Sequence, residues 1–262
     1  MRQMKSWRVL LLRGIPVSAA HAAVDCGAKP VRLAIYEFGL LYNNGRGIDK
    51  DVVDALRQRT GCRFEISVMP RARIWQDLEN GALDMSVSGI QNPARDRFAW
   101  FAPYMALKNM AVTTPPSATP DAFLKRDKAK WAAVRAFKHG ETADRFLEQM
   151  RQQGRVIDVP DVASAFTLLK AGRVEGMFAQ SPVYRLHLQA ADLSGRFTLT
   201  DWASQEAPVP HALILSKSRF TQSQAEAWQK QVNELVVDGS MLRILRQHLP
   251  ADEARAQMLT PR

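Results

Sequence analysis

Between Val31 and Lys217 the chain alternates apolar runs with glycine-stopped helical segments, and it does so in two successive blocks. In the first block VRLAIYEF (31–38) reads as a strand, followed by a polar loop holding Asn43, Asn44, Gly45 and Gly47. Asp49 reads as the cap of a helix through Asp51–Arg59 that ends near Gly61. CRFEISVMP (62–70) is the second strand, Ala72–Asn80 a helix stopped by Gly81, and Leu83, Met85, Val87 and Ile90 mark the third strand. The second block repeats the logic. It has strands at Ala132–Phe137, Val156–Pro160 and Val174–Gln180, and helices at Thr142–Gln153 and from the cap Asp161 through Lys170. RFTLT (196–200) and ALILSK (212–217) follow as strands, and Gln222–Gln247 reads as helical. Such alternation with short turns builds a parallel sheet flanked by helices, and ligands bind outside the carboxyl ends of its strands.

The proline-rich TTPPSATP (Thr113–Pro120) separates the blocks. The fold class expected is therefore α/β with two lobes, joined by extended crossings near Ala106–Thr113 and Trp202–Leu215. In numbers, residues 23–108 begin lobe 1, 109–205 form lobe 2, and 206–262 return to lobe 1 with C-terminal helices. Two lobes on two crossings make a hinge with a cleft between them.

LDMSVSGIQNPARDRFAWFAPY (83–104) carries the chemistry. Its strand ends at Gly89 and Gln91, and a helix starts at once with Asn92 as cap and Pro93 at the first helical position. Backbone N–H groups at such an end attract an anion, and Arg95, one turn in, adds a planar fork that fits a carboxylate. The stretch reads as a carboxylate clamp; the alternative is a surface helix with a solvated arginine.

Met1–Ala22 has basic residues at Arg2, Lys5 and Arg8, then an apolar stretch, then Ala20-His21-Ala22. That is the layout of a secretory signal peptide, although Arg13 interrupts its apolar part. A disordered basic leader is the alternative. The four basic residues of this segment account for four of the ten net positive charges, so the body remains basic at +6. Its basic residues are dispersed, with no lysine/arginine block interleaved with aromatics, which argues against nucleic acid and weakly for an anionic small ligand. No apolar stretch approaches the roughly 18–20 residues that span a bilayer. Export places Cys26 and Cys62, the only cysteines, in an oxidising compartment where an even pair tends to bridge. They precede and open neighbouring parallel strands, so a disulfide is geometrically reasonable. A lipid anchor on Cys26 is the alternative, which Asp25 does not suit. No CxxC or His/Cys cluster points to a metal, and no cofactor is expected.

Six short motifs in order resemble the type II periplasmic solute-binding proteins of ABC importers, in particular the polar amino-acid group (family 3). Gly47-Ile48-Asp49-Lys50-Asp51 resembles that family's G-[FI]-D-x-D, and Leu78-Glu79-Asn80-Gly81-Ala82-Leu83-Asp84 its L-x-x-G-x-x-D. Asn92-Pro93-Ala94-Arg95 stands for T-P-E-R, and Phe101-Ala102-Pro103-Tyr104 for F-S-x-P-Y. Gly140-Glu141-Thr142 is similar to G-T-T, and Leu169-Lys170-Ala171-Gly172-Arg173-Val174-Glu175 to L-x-x-G-[RK]-V-D. The resemblance covers about Val31–Leu249. It implies a Venus-flytrap fold, a monomer, a periplasmic location, and an ABC permease as partner for a carboxylate-bearing small molecule. It further implies that Arg95 grips the ligand carboxylate with Gly89, Gln91 and Asn92 beside it. Thr142 would close from the second lobe, and Tyr36 and Phe38 would pack on the ligand, with Tyr42 a further candidate. Arg73 either lines the cleft or is solvated.

Two departures stand out. The Gly89–Asn92 turn is one residue shorter than the family's. Gln180 stands where the family places the aspartate that pairs with a ligand ammonium, so either an acid such as Glu37 or Glu141 substitutes or the ligand is not an ordinary α-amino acid. Amino-acid import is the leading expectation. An enzyme resembling the cyclohexadienyl (arogenate/prephenate) dehydratases is the runner-up, with Glu37, Glu141 or His139 as acid or base. A sensory ligand-binding protein is third.

Overall fold

The computed structural model describes residues 24–188, 192 and 195–259, so the expected export segment lies outside the described residues. The first sheet has the order β2-β1-β3-β10-β4, from β1 (Val31–Ile35), β2 (Phe64–Val68), β3 (Met85–Gly89), β4 (Ala99–Leu107) and β10 (Val209–Ser216). β1 runs parallel to β2 and β3, and β10 is antiparallel to β3 and β4. The second sheet has the order β7-β6-β8-β5-β9, from β5 (Met110–Thr113), β6 (Trp131–Val134), β7 (Val156–Val159), β8 (Gly176–Ala179) and β9 (Thr198–Thr200). Here β6 is parallel to β7 and β8, while β5 is antiparallel to β8 and β9.

The helices are α1 (Ile48–Thr60), α2 (Arg71–Glu79), α3 (Pro93–Asp96), α4 (Pro120–Leu124), α5 (Glu141–Gln152), α6 (Val162–Lys170) and α7 (Ser181–His187). The C-terminal region adds α8 (Gln222–Val237), α9 (Ser240–His248) and α10 (Ala251–Ala256). α8 packs on β4, and α9 on α1, so the tail covers the first lobe as expected. The second lobe is centred on the buried Trp131 indole, whose ring centroid lies 4.7 Å from those of both Phe146 and Phe178. Gly176 is what admits it: a Cβ there would sit 2.2 Å from the indole.

The chain crosses between the sheets at residues 108–109 and again at 201–208. Lys108 fastens the two crossings together, donating to the carbonyls of Ala203 and Glu206 at 2.8 Å and pairing with Asp201 at 3.1 Å. Cys26 and Cys62 form a disulfide with 5.3 Å between their Cα atoms, which leaves Cys26 no thiol for a lipid.

Several local expectations need correction. Asp49 is not a helix cap: Gly47 holds that position at φ +138°, where a Cβ would meet the Leu41 carbonyl oxygen at 2.4 Å. The clamp helix α3 is a single turn, and the chain then enters β4, a nine-residue strand that the sequence reading leaves unassigned. The C-terminal helix is broken at Asp238-Gly239, where glycine takes a left-handed conformation at φ +79°.

Candidate functional site

In both sheets the carboxyl ends of the parallel strands point at the gap between the lobes. Tyr36 and Phe38 follow β1, Arg71 follows β2, and Ser88 and Ile90 stand at the end of β3. From the second lobe come Ala136, Phe137 and His139 after β6 and Gln180 after β8. These residues line an inner cavity of about 30 Å³, room for roughly one or two water molecules. A wider outer pocket of about 510 Å³ opens beside it, sharing Tyr36, Arg71 and Phe137 and adding Glu37 and Asp161.

Arg95 is buried at the seam between the lobes. Asn92 caps α3 as expected, its side chain accepting from the Arg95 N–H at 3.1 Å. The guanidinium donates to the carbonyl of Ile90 at 2.6 Å in its own lobe and to that of Ala136 at 2.7 Å across the cleft. Its Cζ lies 3.8 Å from the centroid of the Trp75 ring, and Arg71 lies 4.4 Å from the same ring. Burial, and secondarily the charge of Arg71, pull the Arg95 guanidinium down to about 9. It stays charged at neutral pH, but in a setting that an anion would relieve.

Arg71 is a second buried guanidinium that the sequence reading passes over in favour of Arg73. It donates to the carbonyls of Val87 and Ser88, each at 3.1 Å, and lies 4.5 Å from the Tyr36 ring. Burial lowers its pKa. Arg73, two positions on, points outward and pairs with Asp77 at 2.8 Å. The signal was present: Arg71, Ile74, Trp75 and Leu78 share the i, i+3, i+4, i+7 spacing of one buried helix face, and Arg73 lies off it.

Together the two arginines wrap the end of β3. Ser88 there has φ +51°, strained for a residue with a side chain. It is held by its N–H on the Tyr104 hydroxyl at 2.8 Å and by its own hydroxyl on the Asp49 carboxylate at 2.8 Å. Tyr104 donates to the same carboxylate at 2.6 Å. Burial pushes Asp49 up to about 6 against those hydrogen bonds.

The aromatic contact spans the lobes. Phe137 sets its ring edge-on to Tyr36 and Phe38, with centroids 5.7 and 5.1 Å apart, and Tyr36 and Phe38 stack at 5.0 Å. Phe137, missed in the sequence, thus fills the space beside the first-strand aromatics. Ala136 before it sits at φ +63° with its carbonyl turned to Arg95.

The structure thus brings Arg95, Tyr36, Phe38 and Gln180 together around the inner cavity, and sets the other candidates apart from it. Gly89 is buried against β10, where a Cβ would lie 2.3 Å from the Ile214 side chain. Gln91 is exposed and donates to Asp96 at 2.9 Å; with Asn92 it faces an outer groove. Thr142 turns to a side pocket near the hinge, where its N–H and hydroxyl both donate to the Glu206 carboxylate, the former at 2.9 Å. Glu141 is exposed and paired with Arg145. Tyr42 is buried in the first-lobe core.

Two histidines complete the cleft. His139 is packed beside Asn109, with 3.3 Å between Nδ1 and the amide oxygen, and His211 contacts the Gln180 amide at 3.1 Å. Burial, with Arg151 and Lys138 adding repulsion, takes His139 down to about 4. Burial, Arg71 and His139 take His211 down to about 3, against a weaker contrary pull from the Ser88 backbone. An unfolded histidine titrates near 6.5, so below that pH the unfolded chain gains protons that the folded state refuses. Stability is therefore present above pH 6.5 and falls as the pH drops, by about 3 kcal/mol per histidine at pH 4. Asp49 works in the opposite sense, its raised value favouring the folded state below about pH 6. His139→Gln should remove about 3 kcal/mol of the loss between pH 6.5 and 4. Urea unfolding at a series of pH values checks this, and an unchanged slope would count against it.

Two five-stranded sheets of this order, joined by two crossings around a cleft, constitute the type II periplasmic-binding-protein fold. The family model for bacterial extracellular solute-binding proteins, family 3, matches residues 34–251, and the chain belongs to that family. A search of curated protein sequences finds no significant match. Among solved structures, the arginine-, lysine-, histidine-binding protein ArtJ from Geobacillus stearothermophilus is similar over 87% of this chain and 100% of that one, with a TM-score of 0.69 at 15% identity. The VFT2 domain of BvgS from Bordetella pertussis, as a double mutant, is similar over 84% and 93% of the two chains, with a TM-score of 0.64 at 20% identity. A histidine kinase sensor domain with similarity to periplasmic binding proteins covers 84% and 96%, with a TM-score of 0.66 at 15% identity. At these identities the likeness concerns the fold.

Proposed function

We infer that the protein is a periplasmic receptor that binds a small carboxylate-bearing solute between its lobes and hands it to an ABC permease. The observation that carries this reading is Arg95, buried at the seam and bonded to one backbone carbonyl from each lobe. A ligand carboxylate in place of those carbonyls exchanges charge–dipole contacts for a charge–charge pair, and it can bridge the lobes as Arg95 already does. Aromatic rings at Tyr36, Phe38 and Phe137 supply an apolar wall for the rest of the solute.

Binding rather than catalysis is supported by the residues weighed as acid or base. Glu141 is at the surface, Glu37 lines only the outer pocket, and His139 is packed against Asn109 with a depressed pKa. A thermal-shift screen of amino acids, opines and small carboxylates tests the reading. A solute at a hundred times its dissociation constant should add about 2.7 kcal/mol of stability through linkage. A screen in which no carboxylate moves the midpoint would refute the reading. For delivery, cells lacking the protein should take up less of the labelled hit; undiminished uptake would favour a sensory role.

A further inference from the structure

The charges on the inner cavity are all of one sign. Arg71, Arg95 and the exposed Lys138 line it, and among the described residues no carboxylate does. The carboxylates of the neighbouring segments lie outside its lining and each has partners of its own. Asp49 is buried beneath β3, accepting from Ser88 and Tyr104. Asp144 accepts from the His139 N–H at 3.0 Å and pairs with Lys138 at 3.7 Å. Glu206 takes the N–H and hydroxyl of Thr142. Asp161 caps α6 through the Ser164 N–H at 2.8 Å, and Glu37 meets the Asn44 N–H; both face the outer pocket.

Gln180 is the position at which an amino-acid receptor would carry its ammonium partner. It is buried, lines the cavity, and its amide nitrogen meets Nε2 of His211. Because the amide nitrogen only donates, His211 accepts there as a neutral imidazole. The Gln180 carbonyl oxygen is left buried without a partner. A lone carbonyl can accept one neutral N–H or O–H, but it cannot balance a cation desolvated beside two guanidiniums.

Resting on the reading of the cleft as the ligand site, we propose that the ligand is a small monocarboxylate with an apolar or aromatic body and no α-ammonium group. With the lobes parted to admit it, since the closed cavity holds only one or two waters, an unsubstituted, 2-hydroxy or 2-oxo carboxylate matches these groups. Its carboxylate faces Arg95, its body lies against Tyr36, Phe38 and Phe137, and a hydroxyl, where present, reaches the Gln180 oxygen. An α-amino acid would add an ammonium beside two buried guanidiniums, with no carboxylate among the described lining residues to pair with it.

Matched pairs decide the matter by titration calorimetry and thermal shift on the parent protein: L-phenylalanine against 3-phenylpropanoate and phenyllactate, and L-leucine against 4-methylpentanoate and 4-methyl-2-oxopentanoate. The acid lacking the ammonium should bind about tenfold more tightly, or better, in each pair. Gln180→Asp should narrow or reverse that order. Equal or tighter binding of the amino acids to the parent protein overturns this inference and leaves the cleft reading intact. No binding by any member of the pairs also overturns this inference alone, whereas binding of the acids that Arg95→Ala leaves unchanged overturns both.

Discussion

Arg95→Ala should abolish the ligand-induced rise in thermal midpoint and weaken binding by at least about 30-fold. Truncating one partner of a buried, hydrogen-bonded charge pair costs about 2–5 kcal/mol. The expectation is this large because the guanidinium is already buried, oriented by its bonds to Ile90 and Ala136, and stacked on Trp75. Little further ordering is needed to receive a carboxylate. The same substitution removes the Arg95–Ala136 bond, a direct polar tie between the lobes, so the variant should also scatter X-rays as a more open particle. Arg97→Ala is the control: that side chain is exposed and donates to the carbonyl of Ala94 in its own turn. Titration of both variants with the screening hit checks the prediction. Equal affinity in Arg95→Ala would show that the carboxylate is held elsewhere.

Removing the Cys26–Cys62 disulfide, by a double serine substitution, should lower the unfolding free energy by about 4 kcal/mol. The bridge closes 36 residues of chain containing β1 and α1, and on the chain-entropy view that constraint is felt in the unfolded state. A loss of this size should lower the thermal midpoint by about 10 °C in a chain of this length. Ligand affinity should be unchanged. The cysteines lie at the amino edge of the first sheet, whereas the cleft lies at the carboxyl ends of its parallel strands. Calorimetric scans with and without reductant make the measurement. A midpoint indifferent to the bridge would mean that the Arg219 bond to the Cys26 carbonyl and its neighbours already dock this segment.

What could be read from the sequence follows the reach of each interaction. Helix starts at Asn92-Pro93 and Asp161 were legible because a cap acts over three residues, and the structure shows both side chains accepting the N–H three positions on. Glycine stops at Gly61 and Gly81 were legible for the same reason: only a residue without Cβ sits easily at φ +71° and +78°. β4 was missed because AWFAPYMAL, an edge strand paired with β10, runs from a one-turn helix into a crossing, with neither alternation nor flanking turn residues to mark it. Asp49 was mistaken for a cap because a carboxylate at a helix start usually is one. Here Ser88 and Tyr104, 39 and 55 residues away, draw it inward instead.

Local pattern was enough to read two α/β lobes on a hinge, and it offered the disulfide and an arginine at the head of the cleft, each against one alternative. Packing between distant segments decided the rest. It chose Arg71 over Arg73 for the interior and paired Gln180 with His211, 31 residues on. It also turned the Ala136 carbonyl toward Arg95 from 41 residues away. Cavity charge is a sum over such contacts. No window of sequence contains them, because the residues that set the sign of the cleft meet only when the two sheets close on one another.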